Sequence, residues 1–143
     1  MSCKKVIITY KDIKSTIAYD KHNGEYIGHH PNRNMSIKVY FINDKENGEY
    51  NWYNENGNTV NKCYFINRKK NGECKYYKNG LIKSSGYFIK DKQNGDSIEY
   101  YKNTNRYDKY YYIDGLFNGE FIEYDKDGKI ECKYYCIDNY RIH

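Results

Sequence analysis

Five acidic residues recur along the chain, each directly after an Asn-Gly pair: Glu25, Glu49, Glu73, Asp96 and Glu120. Two carboxylates held close together could serve as the acid and base of a hydrolytic reaction. These acids are 23 or 24 residues apart, so equivalent side chains in stacked copies would lie about 10 Å apart and would not converge on one bond. We therefore expect no catalytic residue. We predict instead that each acid pairs with a lysine on a neighbouring strand.

Histidine offers no convincing metal site in this sequence. His22, His29 and His30 cluster early in the chain, but His29 and His30 are adjacent and would point to opposite faces of a strand. Cys132 and Cys136 would share a strand face without a second pair of ligands. We expect no bound metal and no cofactor.

The number and spacing of the cysteines indicate reduced thiols, with a single disulfide as the alternative. The five cysteines are an odd number and follow no disulfide framework, so we expect reduced thiols at half-buried strand positions. Cys63 and Cys74 flank one predicted turn and could oppose each other. A bridge between these two is compatible with the sequence but is not required by it.

Columns of lysine and tyrosine form a better candidate for a functional site than the acids, histidines or cysteines, namely a binding surface. A lysine, replaced by Ser85 in the third copy, stands two residues before the first tyrosine of a recurring Tyr-Phe-Ile signature, and strand alternation places both on one face. An anionic partner could contact such a face. The alternative is a solvated lysine face, because a net charge of +5 spread over a long sheet is a weak field. The candidate face comprises Lys38, Tyr40, Lys62, Tyr64, Tyr87, Lys109, Tyr111, Lys133 and Tyr135.

Two sequence marks share one period and predict a repeat protein. The glycines of the Asn-Gly-Glu or Asn-Gly-Asp tripeptides are 24, 24, 23 and 24 residues apart, and the Tyr-Phe-Ile signature keeps the same register. In the copy over residues 47–70, residues 48–53 and 58–66 predict two strands. Asn56-Gly57 between them predicts a type I′ turn, which needs positive φ at both central residues. Two strands and two turns leave no room for a helix.

Eight glycines are predicted to lie at turns. Those of the tripeptides should mark the turn into each new copy, and the others should form the middle turn of a hairpin. The middle turn degenerates to residues 31–34 in the first copy and to Asn103-Thr104 in the fourth, so these two hairpins are expected to be the least regular. The predicted turn glycines are Gly24, Gly48, Gly57, Gly72, Gly80, Gly95, Gly119 and Gly128.

The predicted fold is all-β: an elongated, solenoid-like, single-layer antiparallel β-meander of about five to six stacked hairpin repeats. Residues 1–22 read as a diverged partial repeat or cap, residues 23–137 as five repeats, and residues 138–143 as a C-terminal tail. The 20 tyrosines suit a thin sheet, because a tyrosine ring can pack on a neighbour while its hydroxyl reaches water. Exposed edge strands would allow a monomer or an edge-to-edge dimer.

The tripeptides, the aromatic residues five positions after their glycines (Tyr53, Tyr77, Tyr100 and Tyr124) and the Asn-Gly hairpin turn resemble MORN repeats. The period and the closing Tyr-Phe-Ile are most similar to the variant class of YwqK-type antitoxin-like bacterial proteins and of giant DNA viruses of amoebae. The resemblance covers about residues 23–137. It implies an interaction scaffold, with an antitoxin or immunity role or a viral host-interaction role as specific forms.

We expect a non-enzymatic scaffold that mediates protein–protein interaction and has no small-molecule substrate. Peripheral binding to anionic lipid or nucleic acid through the Lys/Tyr face is the alternative, and nucleic acid is the weaker part of it because no Lys/Arg block is present. Val6-Ile7-Ile8 is too short an apolar run for a signal peptide or a membrane span. An intracellular, cytoplasmic location is therefore expected, in the host cytoplasm or the virion if the protein is viral.

Overall fold

The computed structural model describes residues 23–102 and 106–142, so the predicted N-terminal partial repeat and the Asn103-Thr104 turn lie outside the described residues. The described chain contains strands and no helix, and it forms one open antiparallel sheet in meander order. This confirms the predicted single-layer β-meander. The strands are β1 (Asn23–His29), β2 (Met35–Ile42), β3 (Lys45–Tyr53), β4 (Thr59–Ile66), β5 (Lys69–Lys70), β6 (Gly72–Lys78), β7 (Leu81–Ile89), β8 (Lys92–Tyr100), β9 (Tyr107–Ile113), β10 (Leu116–Phe117), β11 (Gly119–Tyr124), β12 (Ile130–Ile137) and β13 (Tyr140–Ile142).

The turns between copies are two-residue turns directly after each Tyr-Phe-Ile signature. Both residues of each turn have positive φ, between 49° and 82°, as a type I′ turn requires. The turns also stack on one another: the Arg68 N–H donates to the Glu46 carbonyl at 2.9 Å, and the Asp91 N–H donates to the Lys70 carbonyl at 2.9 Å. The five turns are Asn43-Asp44, Asn67-Arg68, Lys90-Asp91, Asp114-Gly115 and Asp138-Asn139.

The middle turns of the hairpins are of two kinds. Asn79-Gly80 has positive φ at both residues (53° and 78°), as expected for type I′. The same expectation is wrong for Asn56-Gly57, where only Gly57 has positive φ (79°). That loop is one residue longer, because the Gly57 N–H donates to the Asn54 carbonyl and the Asn54 N–H donates to the Asn58 carbonyl, each at 2.9 Å. It is therefore a type I turn followed by a left-handed glycine.

The first-copy hairpin was expected to be irregular, and this expectation is wrong. The Arg33 N–H donates to the His30 carbonyl at 2.9 Å and the His30 N–H donates to the Asn34 carbonyl at 2.8 Å, which repeats the pattern around Gly57. Arg33 takes the left-handed position with a φ of 71°. The sequence obscured the turn because the residue that adopts positive φ is not a glycine.

The tripeptide glycines do not mark turns, which corrects the sequence-based expectation. Lys62 pairs with Lys75, whereas Phe65 pairs with Lys70, so β6 and β5 carry two more residues than β4 across this interval. The extra residues belong to a bulge in which Asn71, Gly72 and Glu73 all face Tyr64. Equivalent bulges place the other three internal tripeptides opposite Tyr40, Tyr87 and Tyr111. Each of these four tripeptides is thus a bulge within a strand or between two short strands, a few residues after the turn.

One face of the sheet is packed and the other is open. The packed face holds the buried apolar side chains, namely Tyr26, Val39, Cys63, Cys74, Phe121 and Cys136. No second layer covers it among the described residues. Its side chains cover one another instead, with ring centroids 5.3 Å apart for Tyr50 and Phe65 and 4.4 Å apart for Phe121 and Tyr134.

A disulfide joins Cys63 and Cys74 on the packed face. Their Cα atoms are 4.2 Å apart on adjacent strands, and both side chains are buried. The expectation of reduced thiols is therefore wrong for this pair, and the alternative left open by the sequence is the one observed. Cys132 and Cys136 are free thiols, and Cys3 lies outside the described residues.

Candidate interaction face

The open face presents a continuous row of half-exposed tyrosines and isoleucines. In every copy the first and last residues of the Tyr-Phe-Ile signature point to this side, and their exposed fractions all lie between 43% and 51%. They occupy the end of the strands next to the stacked turns. We call this row the Tyr-Ile stripe: Tyr40, Ile42, Tyr64, Ile66, Tyr87, Ile89, Tyr111, Ile113, Tyr135 and Ile137.

Bulge glycines keep the space between successive tyrosines clear. A Cβ atom at Gly72 would lie 3.3 Å from the Tyr64 Cβ, and one at Gly48 would lie 3.5 Å from the Tyr40 Cβ. At the glycine the strand between two tyrosines therefore offers only backbone, whereas the acid that follows, such as Glu49 opposite Tyr64, places a carboxylate at the side of the groove. Shallow grooves result, one lined by Tyr40, Gly48 and Tyr64 and a second of the same construction between Tyr87 and Tyr111.

The asparagine of the tripeptide holds the turn that ends its own copy. The Asn94 Oδ1 accepts the N–H of Asp114, the first residue of a turn, at 3.0 Å. Asn23 accepts the N–H of Asn43 at 3.1 Å in the same way, and Asn118 binds the Asp138 N–H at 3.2 Å. These hydrogen bonds hold the turn that directly follows the isoleucine of the same copy.

The acids of the tripeptides pair with the predicted lysine column. Lys38 pairs with Glu25, Lys109 Nζ lies 3.1 Å from an Asp96 oxygen, and Lys133 Nζ lies 2.8 Å from a Glu120 oxygen. The cross-strand pairing predicted from the sequence is confirmed in these three copies. A hydrogen bond to Glu25 raises the pKa of Lys38 above its ordinary value, and the charge of the same carboxylate adds to the effect.

The third copy pairs its acid differently, because Ser85 stands where the other copies have lysine. Glu73 pairs there with Lys75 of its own strand, with Nζ and oxygen 2.9 Å apart. A hydrogen bond to Glu73 raises the pKa of Lys75. Lys62 is exposed in the lysine column of the second copy. The lysine column is therefore largely matched by acids, which weakens it as a site for an anionic ligand.

Strand alternation in the sequence predicts the isoleucines on the tyrosine face, but they were not part of the predicted candidate site. Their signal was present, since they share strand parity and period with the tyrosines. The predicted site also left out Lys45, Lys69 and Lys92, which lie opposite Ile42, Ile66 and Ile89 across the turns. These lysines are exposed and add positive charge beside the isoleucines.

A second polar cluster lies on the packed face around Asp108, which is 1% exposed. Its Oδ2 accepts hydrogen bonds from the Tyr101 and Tyr110 hydroxyls, and Glu99 and Glu123 flank it on the neighbouring strands. Burial raises the pKa of Tyr110, and the charge of Asp108 adds to this. Among the described residues no group of three or more His, Cys, Asp or Glu side chains is arranged to hold a metal ion.

No protein-family model matches the chain, and no curated protein is significantly similar to it. The likeness to MORN repeats therefore rests on the motifs alone. Within the described residues, no helix is long and apolar enough to cross a membrane.

Proposed function

We propose that this chain is a non-enzymatic repeat scaffold that binds a protein partner through the Tyr-Ile stripe. The supporting observation is the alignment of ten half-exposed Tyr and Ile side chains on one face. At about 200 Å² for a fully exposed large side chain, the stripe presents roughly 900 Å². A typical monomer exposes a largest apolar patch of about 300–600 Å², and larger patches mark interaction sites.

The ion pairs beside the stripe favour a protein partner over an anionic ligand. Counterion release on a phosphate surface requires cations that are available to neutralise it, whereas Lys38, Lys109 and Lys133 already lie against carboxylates. An antitoxin, immunity or viral host-interaction role is a specific form of this proposal, and its support is the likeness to YwqK-type MORN proteins.

Binding to an anionic lipid surface is the second candidate function. The observation that favours it is the row of Lys45, Lys69 and Lys92 beside the isoleucines, of which Lys92 lies 4.0 Å from an Asp114 oxygen. Apolar side chains next to lysines suit the interface of an anionic membrane. Such binding should weaken steeply as salt is raised, whereas apolar docking of a protein should not.

The proposed function can be tested by affinity capture from an extract of the source organism. The doubly substituted Tyr64→Ser/Ile66→Ser chain should lose its partner. Leu81→Ser/Ile130→Ser is the matched control, because these residues are also exposed but lie at the middle turns, away from the stripe. Equal capture by both variants would refute the assignment of the stripe. Salt-sensitive retention on anionic vesicles would favour the second candidate instead.

A further inference from the structure

We propose that the partner of the Tyr-Ile stripe is a second copy of this chain, packed face to face across a two-fold axis. This inference rests on the proposed function, because it names the protein that covers the stripe. Two sheets packed in this way keep their strand directions within about 30° of each other. An isologous contact of this kind uses the same patch on both chains and closes as a dimer.

The area of the stripe is the first support. Roughly 900 Å² of half-exposed Tyr and Ile surface on each chain matches the approximately 800 Å² per partner buried in stable protein–protein interfaces. The stripe is also rich in tyrosine, and large aromatic side chains are typical anchors of such interfaces. A dimer would therefore cover the stripe without any further surface.

The shape of the stripe is the second support. Its tyrosines lie on alternate strands, about 9–10 Å apart, and the strands between them carry bulge glycines such as Gly48 and Gly95. A second copy has projections of the same period. If the two sheets are offset by one strand, the tyrosines of each copy lie over the glycine-lined grooves of the other.

The charges beside the stripe agree with the same offset. Acids such as Glu49 and Asp96 lie on the bulge-containing strands, whereas lysines such as Lys62 and Lys109 lie on the tyrosine strands between them. Lys109 already pairs with Asp96 of its own chain, so an offset of one strand adds no unpaired charge and keeps lysines of one copy from lying over lysines of the other. The offset also places isoleucines over the aliphatic stems of the lysines at the turns, such as Lys69, which avoids direct apposition of like charges.

Sedimentation of the purified full chain over a wide concentration range tests the inference. The wild type should show a concentration-dependent rise towards twice the chain mass of 17.3 kDa. Ile89→Lys should raise the dimer dissociation constant by at least about tenfold, because the two-fold axis buries the added ammonium group twice. Leu81→Lys is the matched control on the same strand, and its dimer dissociation constant should be unchanged, because Leu81 is at the far end of β7 and 74% exposed.

A second stripe variant, Ile113→Lys, keeps the test valid if Ile89→Lys fails to fold by circular dichroism. A wild type that stays at the mass of one chain into the millimolar range overturns the inference. So does a dimer that survives both stripe substitutions but is lost in Arg141→Pro, since that pattern indicates edge-to-edge pairing through β13. Capture of a different protein through the stripe by a monomeric wild type would leave the proposed function standing and refute self-association alone.

Discussion

Replacement of the bulge glycine Gly72 by alanine should destabilise the protein more than replacement of a turn glycine. Gly72 has a φ of 125°, outside the conformations that alanine readily adopts, and such strained residues cost about 1–3 kcal/mol. The new Cβ would also lie 3.3 Å from the Tyr64 Cβ, which is closer than an ordinary contact. Alanine recovers about 0.4–1 kcal/mol by restricting the unfolded chain. The expected net loss is about 2 kcal/mol.

Two control variants separate the contributions to this loss. In the described part of the chain, a Cβ atom at Gly57 meets no neighbour within 4 Å, and the φ there is a left-handed 79°, so the expected net loss for Gly57→Ala is only about 0.5 kcal/mol. Gly24 has a φ of 135°, and among the residues that the structure describes a Cβ atom at this position meets no neighbour within 4 Å. Gly24→Ala should therefore show the backbone strain of Gly72→Ala without the contact to tyrosine, and its loss should be intermediate.

Thermal and urea denaturation followed by circular dichroism measure these differences. A loss of 1 kcal/mol should lower the Tm by about 3 °C for a chain of this size. The Tm should therefore fall by about 6 °C for Gly72→Ala and by about 2 °C or less for Gly57→Ala. If Gly57→Ala proved as destabilising as Gly72→Ala or more so, the bulge would not require glycine, and the tripeptide glycine would be an ordinary turn residue.

Three further predictions follow from individual residues. Arg33→Gly should raise the free energy of unfolding in urea by about 0.5–1 kcal/mol, because glycine relieves the strain of a left-handed φ of 71°; a decrease would contradict this. Asn94→Ala should lower the free energy of unfolding by about 1 kcal/mol, because the Asp114 N–H loses its acceptor. An unchanged free energy of unfolding would show that this hydrogen bond does not stabilise the turn. Burial raises the pKa of Tyr110, so the unfolded chain loses this proton first, and stability should fall as the pH rises above about 10. That fall should be smaller in Tyr110→Phe, as urea denaturation at about pH 9 and pH 11 would show.

Strand alternation allowed the two faces to be predicted from the sequence, even though the bulges were not foreseen. Each bulge adds two residues, as the pairs Lys62–Lys75 and Phe65–Lys70 show. An even number of extra residues preserves the side-chain period of two. The tyrosine and lysine columns were therefore assigned to one face correctly, despite the error about where the chain turns.

The turn between copies was predicted over residues 67–72, which includes the observed Asn67-Arg68 turn but extends too far, because the strongest turn signal lies in the tripeptide. Asn-Gly is typical of type I′ turns, and the sequence reasoning followed that signal to the tripeptides. Pairs such as Lys90-Asp91 adopt positive φ at both residues without any glycine. Stacking on the preceding copy stabilises this turn in the absence of glycine, since the Asp91 N–H donates to the Lys70 carbonyl at 2.9 Å.

The disulfide depends on register, which sequence spacing could not supply. If the pairing of Phe65 with Lys70 continued without a bulge, Cys63 would oppose Gly72. The two additional residues of the bulge bring Cys74 opposite Cys63 instead. From the sequence the Cys63–Cys74 bridge was only an alternative, because two cysteines that flank a turn oppose each other in one register and not in another.

The amino-acid sequence by itself determined the repeat, the all-β meander and the column to which each side chain belongs, because a fixed period and strand alternation are local properties. Only the tertiary structure decided what the tripeptide does. In four of the five copies its asparagine accepts a hydrogen bond from a turn 19 or 20 residues later, and in four its acid pairs with a lysine of a neighbouring strand or its own. In the last four copies its glycine faces a tyrosine of the preceding strand. These are contacts between separate segments of the chain, and they arise only when the copies stack. The stacking also leaves the Tyr-Ile stripe half exposed, because a single-layer sheet has no second layer to cover it.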